Sequence, residues 1–140
     1  SLTVLKQDYA ESFKWYLEAA KQGHLQSQAA VAQALASGQG TATNRHEAIK
    51  WAKLAARRGN SSAQALLANG YEQGYGGLHQ DLQLAYVWLN ISVTNGSWLA
   101  SARDDMAKRL TRKHLAEAQS LVRDCIASNY DPPKCKLPPE

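Results

Sequence analysis

The segment Asp81-Leu82-Gln83-Leu84-Ala85-Tyr86-Val87-Trp88-Leu89-Asn90-Ile91-Ser92-Val93-Thr94-Asn95-Gly96 reads as one amphipathic helix with both ends marked. Leu82, Ala85, Tyr86, Leu89 and Val93 recur at helical spacing and form an apolar stripe. Asp81 stands where a side-chain oxygen takes up the orphan amides of a first turn. Gly96 stands where a helix end favours a left-handed residue. The same design occurs twice earlier. Asp8, Ser12, Trp15, Ala19, Ala20 and Gly23 return as Asn44, Ala48, Trp51, Ala55, Ala56 and Gly59, and again as Asp81, Ala85, Trp88, Ser92, Val93 and Gly96. The step between tryptophans is 51 − 15 = 36, then 88 − 51 = 37. A fixed period in this range marks a solenoid, in which each unit buries its apolar face on its neighbours.

A second, Ala-rich helix precedes each of the later copies. It is expected over residues 25–37, 61–73 and 98–110, with Ala29, Ala32, Ala65 and Ala68 permitting close helix approach. We name the Ala-rich helix A and the tryptophan helix B. Gly38-Gln39-Gly40 and Gly74-Tyr75-Gly76-Gly77 join A to B and read as tight turns with positive φ. A phosphate-cradling loop would need a strand before the glycines and a Lys-Ser/Thr after them, and neither is present.

The order Gly-x-Gly, Asp or Asn, Ala, Trp, Ala-Ala, Gly resembles the Sel-one-like repeat, a relative of the tetratricopeptide repeat. Leu67, Ala68, Tyr71, Gly74, Gly76, Asp81, Ala85, Trp88 and Gly96 carry the best copy, and Val31, Ala32, Leu35, Gly38, Gly40, Asn44, Ala48, Trp51, Ala55, Ala56 and Gly59 the earlier one. Ala32 and Ala68 replace the family's usual Gly. The second copy has an extra residue in its turn and Ser92-Val93 for Ala-Ala. The resemblance implies an all-α, right-handed α-α superhelix of about seven helices. Residues 1–128 form the array, with a leading half repeat at 8–23, repeats at 25–59 and 61–96, and a terminal repeat or cap at 98–128; residues 129–140 form a tail.

Because Trp15, Trp51 and Trp88 share one repeat position, inter-helix packing explains them, and Trp51→Ala is expected to be the costliest truncation. Trp98 breaks the pattern and is the expected exposed aromatic anchor. Net charge is +4 with 20% charged residues, a globular balance with a mild positive excess. Lys108, Arg109, Arg112, Lys113 and His114 cluster, with Asp104, Asp105 and Glu117 nearby, and read as a solvated face rather than a nucleic-acid or lipid footprint. No apolar run is long enough to span a membrane.

The family resemblance places helix A on the concave side, so Gln26, Gln33, Ser62, Asn69, Glu72 and Arg103 are expected to project into a polar, amide-rich groove. A protein or peptide partner would bind there, with Trp98 as anchor. Catalytic residues, metal ligands and cofactors are not expected. His24, His46, His79 and His114 lie far apart in the repeat frame, as surface or capping residues, and nothing gathers a catalytic set.

Cys125 and Cys135, 10 residues apart around Asp131-Pro132-Pro133, are either a disulfide or two separate reduced thiols. The resemblance to exported bacterial members whose last helix ends in such a pair favours the disulfide, and with it a periplasmic or secreted bacterial protein. The expected function is a non-enzymatic interaction scaffold. Two alternatives remain at this level: hydrolysis of cell-wall or β-lactam-type substrates, as proposed for cysteine-rich relatives, or a structural piece of a larger array.

Overall fold

Each Gly-containing turn stops one helix and aims the next back along it, so the chain folds as a row of antiparallel helices. The computed structural model describes residues 2–130, 135 and 137. Among them are seven helices and no strand: α1 (Leu2–Lys21), α2 (Leu25–Ser37), α3 (Arg45–Arg57), α4 (Ser61–Gln73), α5 (Leu82–Thr94), α6 (Ala100–Ala107) and α7 (Arg112–Ala127). This is an all-α repeat solenoid.

The caps recur with the period. The side chains of Asn44, Asn60 and Asp81 accept from the backbone amides of Glu47, Ala63 and Leu84, which satisfies donors that a helix start would otherwise leave orphaned. His24 fills the same role one period before Asn60, accepting from the amide of Ser27. Asp8 does not cap. Helix α1 runs straight through it from Leu2, with no glycine among residues 2–7 to divert the chain.

Gly40 and Gly76 allow the closest approach. A Cβ on Gly40 would strike the carbonyl group of Tyr9, and one on Gly76 would strike Ile49 and the carbonyl of Arg45. With φ of 80° and 65°, both sites favour glycine on two counts.

Packing follows the alternation. Helices α1 to α5 each pack on the next, and α2 also packs directly on α4, which puts the A helices on the inner side of the array. Ala32, Ala52, Ala55, Ala56, Ala68 and Ala85 are buried to within 2% exposure, so small side chains bring the helix axes together. Ser92 departs from the repeat pattern yet is fully buried, its hydroxyl donating to the Ser61 carbonyl at 2.7 Å. At the C-terminal end the arrangement changes: α7 packs on α5, and α6 rests on α5 without closing on α4.

The three repeated tryptophans do not share one environment. Trp88 is 3% exposed and Trp51 is half-buried, whereas Trp15 is 76% exposed. Helices α2 and α4 cover the B helices that follow them, and none of the described helices covers α1 in the same way. The packing role expected for Trp15 is therefore not met, and Trp88 replaces Trp51 as the most deeply packed ring. The third A helix is shorter than expected. It begins at Ala100 without a side-chain cap and ends at Ala107 in a tightened turn, where the amides of Arg109 and Leu110 bond to the carbonyls of Met106 and Ala107.

Cys125 and Cys135 form a disulfide, with Cα atoms 4.3 Å apart. Both are buried, and Leu137 joins them in the main core. The Asp131-Pro132-Pro133 segment between the two cysteines falls outside the described residues.

Candidate functional site

Because α6 does not close on α4, a groove of about 340 Å³ opens between them. Its floor is apolar: Ala65 and Ala68 from α4, Leu89 from α5, and Leu99, Ala102 and Met106 from the α6 side. Its rim is polar, with Asn69 and Glu72 facing Asp105 and Arg109. At one end the Arg109 guanidinium donates to Glu72 Oε2 at 2.6 Å and ties α6 to α4. This pair is partly solvent-exposed and is screened accordingly, so it contributes little to stability and mainly fixes the groove's edge.

The corresponding space between α2 and α4 is closed by direct packing. Gln33 Nε2 there reaches across to the Ser62 carbonyl at 3.4 Å. The groove therefore belongs to the α4–α6 step and not to every repeat.

The residues expected at the site are distributed unevenly. Asn69 and Glu72 lie together on the groove rim. Gln26 accepts from Asn60 Nδ2 at 3.3 Å, away from the groove lining. Arg103 pairs with Asp104 at 3.0 Å and reaches Asn90 at 3.5 Å. Asn69 donates to the Tyr75 hydroxyl at 3.0 Å. Trp98 is 89% exposed, consistent with an unpacked aromatic at the entry to α6.

The apolar groove floor was not among the sequence expectations, which were of a polar, amide-rich groove. One signal could have found its edge. Glu72 and Arg109 are 109 − 72 = 37 residues apart, one repeat period, so opposite charges occupy matching repeat positions, Glu72 in α4 and Arg109 just beyond α6. Arg109 and Lys108 are paired with Glu72 and Asp105, so this part of the basic cluster is locally neutralised.

Buried titratable chemistry is sparse. Burial, reinforced by the nearby Asp81 carboxylate and opposed by Arg57, raises the Tyr71 phenol above its ordinary value. Among the described residues no group of three or more His, Cys, Asp or Glu is placed to hold a metal ion. No helix among them is long and apolar enough to cross a membrane.

The Sel1 repeat model matches residues 3–24, 25–60 and 61–97. The chain belongs to the Sel1 repeat family. A solved structure described as a protective antigen present in uropathogenic Escherichia coli strains, displaying an SLR fold, superposes with a TM-score of 0.80 at 28% identity. The alignment covers 96% of this chain and 30% of that one, so this Sel1 array spans less than a third of the antigen's length. No curated protein matches the sequence. Sel1 arrays serve in general as interaction scaffolds, and a protein-binding scaffold is the function class that the family supports here.

Proposed function

We propose that this Sel1 array binds a protein or peptide partner along its A-helix face, with the α4–α6 groove as the principal seat. The supporting observation is the groove itself: an apolar floor framed by Asn69, Glu72, Asp105 and Arg109. An inserted apolar side chain would be desolvated there while the partner's backbone meets polar rim groups, which is the anatomy of an interaction hot spot. Trp98, Arg103, Gln33, Ser62 and Gln26 extend the same face and supply flanking contacts. Residues 98–128 act as the terminal cap of an array over 1–128, with 129–140 as its tail, and Cys135 is bonded to Cys125 of the cap. The disulfide supports a periplasmic or secreted location, since such bonds persist in oxidising compartments. The role is one of holding partners and not of turning over a substrate.

Capture from periplasmic extract by the native chain and by Ala102→Trp tests the reading. Ala102 is exposed on the groove wall, so the substitution fills the groove without entering the core. A captured protein is expected to be lost with Ala102→Trp and retained with Leu54→Arg, on exposed ground in α3. The reverse pattern moves the interface to the B helices and overturns the proposal.

A further inference from the structure

The two full repeats differ at one place that bears on recognition. In the second, the Tyr75 ring folds back beside its own helix A. Its hydroxyl accepts from Asn69, the Arg45 guanidinium lies 4.8 Å from the ring centroid, and its Cε1 is 3.2 Å from where Gly70 would carry a Cβ. One period earlier these four positions are Gln39, Gln33, Tyr9 and Ala34. All four line an open cleft of about 210 Å³ between α1 and α2, walled also by Phe13 and Tyr16. Gln39 has no ring to place there. The space that Tyr75 takes in the second repeat is open in the first.

We propose that this cleft is a docking pocket for a tyrosine side chain presented by a partner protein. The internal repeat shows what the geometry accommodates: a phenol ring with its hydroxyl against the amide at the Asn69 position. Three aromatic side chains line the cleft where the second repeat has Arg45, Ile49 and Ala52, so an incoming ring meets edges and faces of other rings. Gln33 supplies the amide. Its present bond to the Ser62 carbonyl is long, at 3.4 Å, and exposed, so it exchanges readily for a phenol oxygen. Ala34 carries a Cβ where Gly70 has none, which seats the incoming ring slightly further out than Tyr75. The pocket holds whether or not the α4–α6 groove takes a partner.

The test is titration of the native chain with N-acetyl-tyrosine amide, followed by the backbone amide NMR signals of Ala30, Gln33 and Ala34. N-acetyl-leucine amide and N-acetyl-phenylalanine amide serve as comparison probes. Saturable shifts in the millimolar range are expected for tyrosine, with a several-fold weaker response to leucine. The double variant Ala34→Gly, Gln39→Tyr rebuilds the second repeat's arrangement, fills the cleft with the chain's own ring and is expected to abolish the response. Gln33→Leu, a surface change that leaves the core untouched, is expected to erase the preference for tyrosine over phenylalanine. Equal response to leucine, absence of shifts at these residues, or undiminished binding by the double variant overturns the proposal.

Discussion

Gln64 repeats, one period later, the bond made by Gln28. Gln28 Nε2 donates to the Ala20 carbonyl at 3.3 Å and Gln64 Nε2 to the Ala56 carbonyl at 3.0 Å. In each case a buried amide from helix A gives a second donor to a carbonyl at the C-terminal end of the preceding helix B, beside the turn amide of Gly23 or Gly59. The other end of each amide is used as well. Gln28 Oε1 accepts from Arg58, and Gln64 Oε1 accepts from Asn95, which stands 95 − 58 = 37 residues later. Tyr130 closes the series, its hydroxyl taking bonds from Asn95 at 2.7 Å and Gln64 at 3.4 Å. The repeats are thus joined by a polar seam as well as by their alanines.

Gln64 is fully buried, so Gln64→Leu should leave the Ala56 carbonyl and the Asn95 amide without this partner inside the seam. The Ala56 carbonyl keeps the Gly59 amide and Asn95 keeps the Tyr130 hydroxyl, so the cost is that of the lost bonds themselves, about 0.5–1.5 kcal/mol each. Chemical denaturation should show a loss in that range, with no comparable loss for the exposed Gln26→Ala. Equal midpoints for native and Gln64→Leu would remove the seam from the account of stability.

Trp88→Ala should be the most damaging of the tryptophan truncations. Its ring is 3% exposed in the centre of the main core, and removing such a ring costs about 3–5 kcal/mol. Trp51→Ala should cost less because the ring is half-buried. Trp15→Ala and Trp98→Ala, at 76% and 89% exposure, should lie within about 0.5 kcal/mol of the native chain. Thermal unfolding of the four variants orders them, and a larger loss at Trp15 than at Trp88 would contradict the packing.

The repeat frame was legible because period, caps and turn glycines are local signals, and each recurs at Asn44 and Asp81 or at Gly38 and Gly74. Residues 25–37 and 61–73 became helices with the expected bounds. Burial was less legible, because it depends on what lies across from a residue. Trp15 and Trp88 share a repeat position, yet among the described residues Trp88 has a preceding helix A over it and Trp15 has none. Asp8 carries the capping residue type without the turn that makes it a cap. The α4–α6 groove was hidden for a related reason. It arises where α6 is short and α7 docks on α5, an outcome of competing tertiary contacts that no single segment encodes.

Tyr71 gives the stability of the array an alkaline limit. Burial, then the Asp81 carboxylate, raise its phenol above the ordinary value of 10.0, with Arg57 acting in the opposite direction. A folded-state value above the unfolded one means that the native protein holds this proton more tightly at high pH. The associated stability is complete below pH 10.0 and falls as pH rises above it. Melting temperature should therefore drop as pH rises above about 10. Tyr71→Phe should show a shallower drop, since other groups also titrate there and the difference isolates Tyr71. Identical slopes would assign the alkaline loss to those other groups.

The C-terminal disulfide should act as a staple for the end of the solenoid. Helix α7 has one face on α5, and its Cys125 is bonded to Cys135, which brings Leu137 into the main core. The backbone turns sharply to make this possible. Asn129 and Tyr130 both have positive φ, and the Tyr130 amide bonds back to the Cys125 carbonyl at 2.8 Å. Left-handed geometry at two consecutive non-glycine residues is costly, so the turn needs the bonds of Tyr130 and the covalent link to hold it. Closing a loop of this length contributes about 2–3 kcal/mol. Reductant should lower the unfolding midpoint of the native chain by that amount, and Cys125→Ala, Cys135→Ala should match the reduced protein and ignore reductant. Leu137→Ala in the oxidised chain should reproduce part of the loss, because the bond acts partly by delivering that side chain to the core. Thiol titration of the denatured, unreduced protein should find no free sulfhydryl. Two free thiols there, or a midpoint indifferent to reductant, would leave the tail without a staple and remove the main support for an oxidising compartment.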